Sequence, residues 1–241
     1  MWTLYDRLLK DAASTDKIAS VEQGESWTLV TTEGGLVGLA ATYMGRSGKT
    51  ADPAEFIGLS ITEAAAFVKS WDWEKACVGL AAINSVMNQD AHFPITENPD
   101  VFLRYKDRFL GKKVAVVGHF AYLEKRLQGL CDLYVLERQP AGEDYPDPAC
   151  EYLLPDMDVV IITGSAASNK TLPRLLELSR NAFTVVTGPS TTLNPALFDF
   201  GADALGGFVV TDADACRRSL GVCGGVFQSG RMICLEKEAF H

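Results

Sequence analysis

The sequence predicts an α/β protein: a Rossmann-like, mainly parallel sheet with helices on both faces, preceded by a smaller α+β unit. Three observations carry this. Lys113 to Phe120, KVAVVGHF, sets four apolar residues, three of them β-branched, directly before a glycine. A short, uniformly apolar run of this kind reads as a strand buried on both faces, as in parallel sheets covered by helices. The order of apolar strand, glycine turn and helix then recurs through the rest of the chain. Ahead of it, three extended runs are separated by hairpin-length turns.

Taken in order, residues 4–13 have the spacing of a short amphipathic helix. Ile18 to Val21, Trp27 to Thr32 and Leu36 to Tyr43 form the meander, joined by QGES and EGG. The segment 45–53, GRSGKTADP, is a loop by composition. It looks like a phosphate-binding loop, but Gly45 lies only three residues before Gly48, so the required spacing fails. The alternative is a lid with Arg46 and Lys49 as anion contacts. Ser60 and Glu63 make a capping box for a helix over 64–71. Asp72 is placed to cap a second helix, Trp73 to about Met87, whose apolar stripe of Trp73, Cys77, Leu80, Ala81 and Met87 also contains Asn84. A buried amide needs partners. Asn84 is therefore either a structural hydrogen-bonding group or a side chain facing a cleft.

Pro94, Pro99 and the mixed-charge run RYKDRFLGKK break the pattern. The expected division is residues 1–95, a linker at 96–111 that follows the loop residue His92, and residues 112–241. In the last of these, the strands read as 113–117, Asp132 to Glu137, Asp158 to Thr163, Phe183 to Thr187, Leu205 to Val210 and Arg231 to Glu236. Residues 139–155 read as loop. Helices follow at 121–130, from Leu172 with Pro173 in the first turn, after Asn194 with Pro195 first, and from Asp212 to Arg218.

Composition bounds the function. Apolar residues make up 47% of 241, enough for a packed core throughout. No stretch approaches the roughly 18–20 apolar residues that a membrane span needs. The N-terminus lacks a basic start followed by an apolar core, so the expected compartment is the cytoplasm. A formal charge of −9 opposes general nucleic-acid binding, which rests on neutralising phosphates. The six cysteines, Cys77, Cys131, Cys150, Cys216, Cys223 and Cys234, show no CxxC or zinc-type spacing, and read mostly as small buried residues.

Ligands of open α/β sheets bind beyond the carboxyl ends of the strands. That rule gathers Gly118 and His119, Glu137, Thr163 and Gly164, and Gly188, Pro189, Ser190 and Thr191. Asn169 and Thr171 join them at a helix start, where ordinary capping is the alternative. Glu137 comes 19 positions after Gly118, about where Rossmann-type folds hold a ribose. His119 and Phe120, however, stand where the dinucleotide fingerprint needs small residues, which argues against a nicotinamide enzyme.

Four ordered segments, GLAAIN (79–84), VAVVGHF (114–120), DVVIITG with NKT (158–171) and GPST (188–191), resemble the family described as "putative heavy-metal chelation". The likeness covers nearly the whole chain. It implies an enolase-N-terminal-like first domain, a Rossmann-like second domain and a pocket between them holding Asn84, Gly118, His119, Asn169, Thr171 and Ser190. It also implies heavy-metal chelation, or handling of a small metal-binding or pterin-like molecule.

Two functions follow as expectations. The first is binding or processing of a metal chelate, with a divalent or heavy metal ion and His119 as its ligand, since neutral imidazole is a common one; Glu137, Asn84 and Cys77 could add donors. The second is an enzyme for condensation, hydrolysis or group transfer on a pterin-, flavin- or nucleotide-like molecule, S-adenosylmethionine chemistry included. There His119 is the general acid/base, Asn84 and Asn169 are orienting amides, and Ser190 and Thr191 cradle an anion. A purely structural module ranks third. The partner expected is a small molecule or metal chelate, not nucleic acid or membrane, and a homo-oligomer stays open.

Overall fold

A computed structural model describes residues 2–43, 50–93, 98–120 and 123–237. Arg46 and Lys49, with most of the expected 45–53 lid, lie outside the described residues.

Helix α1 (Thr3–Asp11) precedes strands β1 (Ile18–Gln23), β2 (Trp27–Thr32) and β3 (Val37–Ala41). The three strands pair antiparallel in the order β1-β2-β3. The capping box forms at helix α2 (Ile61–Ala66): the Ser60 hydroxyl accepts from the Glu63 N–H, and the Glu63 carboxylate accepts from the Ser60 N–H. Helix α3 (Trp73–Met87) starts after Asp72, but that side chain makes no capping bond. The helix also departs from the expected single apolar stripe. Every residue from Ala76 to Ser85 is buried, because α3 packs against β2 and β3 on one side and α2 on another. A helix buried all round needs no polar face over that length.

Short helices α4 (Val101–Arg104) and α5 (Lys106–Phe109) lead into β4 (Lys113–Val117), α6 (Leu123–Leu127), β5 (Asp132–Glu137) and the two-residue edge strand β6 (Tyr145–Pro146). Then come α7 (Cys150–Leu153), β7 (Val159–Thr163), α8 (Leu172–Leu178), β8 (Phe183–Thr187), α9 (Ala196–Asp199), β9 (Ala204–Val210), α10 (Ala213–Arg218) and β10 (Gly230–Glu236). The large sheet runs β10-β9-β8-β7-β4-β5-β6. All its pairings are parallel except β9 with β10. Counting from β4, this is the doubly wound order, whose strand direction of progress reverses between β4 and β7.

Alternate residues of the central strands serve two cores. Val114, Val116, Ile161 and Val185 face one layer, together with Val101, Phe102, Tyr105 and Phe109. The stretch expected to be a linker therefore packs, from Val101 onward, as a lid of short helices on the large sheet. Ala115, Val117, Val160, Ile162 and Val186 face the other layer, a cluster that continues without interruption through α7, α8 and α9 into α1, α2 and α3. The outer face of the small sheet is covered too, since Trp27, Leu29 and Leu39 pack on Phe208, Cys216 and Leu220.

Two amides four residues apart, Asn84 on α3 and Asn88 just past its end, close this junction. Asn84 Nδ2 donates to the carbonyls of Leu39 (2.9 Å) and Ser190 (3.1 Å), and Asn84 Oδ1 accepts from the Thr192 hydroxyl (2.6 Å). Asn88 Nδ2 donates to the carbonyls of Thr191 (2.9 Å) and Phe208 (3.2 Å), while its Oδ1 accepts from the Leu193 N–H (2.8 Å). Asn84→Ala strands two buried carbonyls and a hydroxyl, so a loss of about 3 kcal/mol is expected in urea denaturation. A loss below about 1 kcal/mol, the worth of a single ordinary bond, would show that the amide is not structural.

Candidate functional site

Beyond the carboxyl ends of β4, β5 and β7 lies a polar cavity of about 160 Å³. Its wall brings together Gly118, His119, Glu137, Thr163, Asn169 and Thr171, all expected from the sequence, and adds Tyr43, Arg138, Asp147 and Ser165. The β4 turn fits because Gly118 has φ +96, and a Cβ there would come within 2.7 Å of Thr163 Cγ2. Only glycine combines that backbone with that approach.

The Glu137 carboxylate is held by backbone: it accepts from the N–H of His119 (2.8 Å) and of Arg138 (2.7 Å). It thus anchors the turn that carries His119. The His119 ring stands at the mouth, with 42% of its side chain exposed and Nδ1 3.5 Å from Asp144 Oδ2. Asn169 joins the two halves of the wall, donating to the Tyr43 hydroxyl (3.4 Å) and accepting from the Thr171 N–H (3.0 Å) and hydroxyl (2.6 Å). Arg138 donates from Nε to Asp147 (3.2 Å) and lies 4.6 Å from the Trp73 ring centroid and 5.9 Å from that of Tyr43. Its Nη1 is buried and has no hydrogen-bond partner among the described residues.

The metal-donor chemistry is sparse. Among the described residues, no three His, Cys, Asp or Glu side chains gather to hold a metal ion. Burial pushes the Cys77 thiol up to about 12, and its sulfur accepts from the Tyr43 N–H at 3.1 Å. A thiol held neutral in this way is a poor metal ligand.

A family model described as "Putative heavy-metal chelation", DUF364, matches residues 101–237, and a second of the same description, DUF4213, matches residues 5–87. The chain belongs to the DUF364 family. A crystal structure of a DUF364 protein of unknown function from Desulfitobacterium hafniense is similar with TM-score 0.88 and 35% identity, covering 98% of this chain and 99% of that one. Another, from Pyrococcus horikoshii, shares the fold with TM-score 0.78 and 23% identity, covering 97% of this chain and 100% of that one. An uncharacterized protein of Methanocaldococcus jannaschii is 31% identical over 156 residues, which is 60% of this chain. The chain thus spans 58% of the length of that curated relative.

The other residues expected in one DUF364 pocket lie elsewhere. Asn84 is wholly buried, its amide committed to the junction described above. Ser190 is buried there too, its hydroxyl accepting from the Ala41 N–H at 2.7 Å. Thr191 is buried with its side chain against Gly164, where any Cβ would collide with it. Gly188 and Pro189 line a different cavity, on the opposite face of the sheet. Tyr43 and Arg138 escaped the sequence reading because neither sits in a recognisable motif. Arg138 carried one signal, its place directly after Glu137 at a strand end.

Lys170, between Asn169 and Thr171, has φ +71 and donates to the Ser168 carbonyl at 2.7 Å. Partial burial lowers its pKa from 10.5 to about 8. Between those values the unfolded chain binds the extra proton, so stability contributed by this residue rises with pH. The stability of the native protein relative to Lys170→Met is expected to climb from pH 8 to 10.5 and to stay level below pH 8. A level difference throughout would show that the ammonium is as well solvated folded as unfolded.

Proposed function

We propose that the polar cavity binds a small organic chelate in its metal-loaded form, with Arg138 meeting an anionic group of the chelator and the His119 imidazole contributing one ligand to the metal. The observation that carries this reading is the buried, unpartnered Nη1 of Arg138. A guanidinium nitrogen in that position costs about 1–3 kcal/mol unless a ligand satisfies it, and a carboxylate is the geometry that a guanidinium matches best.

The donor count supports a chelate rather than a bare ion. One imidazole beside scattered carboxylates does not close a coordination sphere, which for zinc takes about four ligands, so the organic molecule supplies the remainder. Charge favours the loaded form. Glu137 and Asp147 line the cavity and Asp144 faces His119, against the single guanidinium of Arg138. A metal-free polyanionic chelator is repelled by that balance more strongly than its complex, most of whose negative charge the metal has neutralised. The hydroxyls of Tyr43, Ser165 and Thr171 and the Asn169 amide offer the remaining polar contacts. The description of the DUF364 family agrees with the class of ligand.

Calorimetric titration of untagged protein with nickel–nitrilotriacetate, nitrilotriacetate alone and nickel alone tests the reading. The complex is expected to bind at least tenfold more tightly than either part. Arg138→Gln should weaken it about 10- to 100-fold, the worth of a charge-assisted contact, and His119→Ala should abolish the preference for the loaded form. Equal affinity for all three probes, or indifference to both substitutions, would overturn it.

A further inference from the structure

The second cavity, about 450 Å³, opens at the carboxyl end of β8. Its wall includes Val101, Phe102 and Phe120, which belong to the core on the opposite face of the sheet from Val117 and Leu136 of the polar cavity. The turn after β4 therefore sends consecutive side chains to different places: His119 to the polar cavity, Phe120 to this one. Gly188 has φ +109, and its missing side chain leaves open the space between the Phe120 ring and the Thr163 hydroxyl, 3.7 and 4.0 Å from where a Cβ would be.

The polar groups around this space are already engaged. The Thr187 hydroxyl donates to the Gly206 carbonyl (3.2 Å), and Asp100 and Arg126 pair with each other. A charged ligand would lose its hydration here and would have to compete with the Asp100–Arg126 pair, which is costly. Three of the six apolar side chains in the wall are aromatic, beside Val101, Pro189 and Met232. Phe102 and Phe120 meet edge to face at 5.5 Å, Met232 adds a thioether, and Phe227 packs edge-on against Phe208 while leaving 47% of its surface to solvent. Ring edges and sulfur favour a flat π-system over an alkyl chain, and the volume falls within the range of small-molecule sites.

We propose that this cavity is a second binding site, specific for an uncharged planar aromatic or heteroaromatic group of one or two fused rings. The site stands independently of the chelate reading, because it shares none of the groups on which that reading rests.

Quinoline, with 1-octanol as the aliphatic control, is titrated against the native protein by ligand-observed nuclear magnetic resonance at pH 8. Saturable quinoline binding, at least tenfold stronger than that of octanol, is expected. Gly224→Trp should abolish it: Gly224 lines the cavity with an ordinary φ of −91, and a Cβ there meets nothing within 4 Å, so the indole fills the space without straining the backbone. Phe227→Ala, at an exposed position, should weaken binding several-fold and serves if the tryptophan variant fails to fold. Arg138→Gln should leave quinoline binding unchanged. No saturable binding, octanol binding as tightly as quinoline, or quinoline binding that survives both cavity substitutions would each overturn the proposal. Loss of quinoline binding in Arg138→Gln would do the same, since it would place the ring in the polar cavity.

Discussion

The constraint on which this structure depends is the need to satisfy an irregular backbone segment buried deep in the protein. Residues 190–194 leave the end of β8 and run between the small sheet's helix and the large sheet with almost no exposure. Buried carbonyls and N–H groups outside regular structure have no ladder to pair with. Asn84 and Asn88 supply what a strand would have supplied, each amide presenting donors and an acceptor at one helical turn's spacing. The Ser190 hydroxyl returns the contact to β3 through the Ala41 N–H. These bonds fix where β3 and Tyr43 sit relative to the strand ends, and Tyr43 is the contribution of the N-terminal part to the polar cavity.

Most of the fold was legible in the sequence because its elements obey local rules. The segments 132–137 and 183–187 became strands with those very limits, as their apolar and β-branched residues favour extended backbone. The capping box at Ser60 and Glu63 formed because both partners are local. The α3 prediction was right in extent and incomplete in environment. Its sequence shows one stripe, yet small residues such as Ala76, Ala81 and Ala82 let a second and third neighbour approach, and the number of neighbours is a tertiary property. Residues 101–109 misled for a related reason: charges alternate with Val101, Phe102 and Phe109, and only the large sheet decides which of them are covered.

The site was half legible. The rule that ligands sit at the carboxyl ends of parallel strands gathered Gly118, His119, Glu137 and Thr163, which share the wall of the polar cavity because topology alone places them together. It could not tell which face of the sheet each turn serves, so it merged into one hollow what the structure separates into two cavities and a packed junction. Asn84 shows the limit most clearly. A buried amide on an apolar helix reads the same whether its partner is a ligand or a carbonyl 106 residues away, and nothing short of the partner's position distinguishes them. Arg138 shows the reverse case, a residue whose significance lies in the nitrogen it leaves unmatched.

The apolar cluster that runs unbroken from α1 and α3 into one face of the large sheet has a thermodynamic consequence. Family models and hydrophobic rhythm both divide the chain near residue 90, but water would see no seam there. Separating the halves would wet Ala82 and Ile83 on one side and Leu193 and Leu197 on the other, a surface neither half can leave bare. Exposing that shared surface opposes independent unfolding of either half.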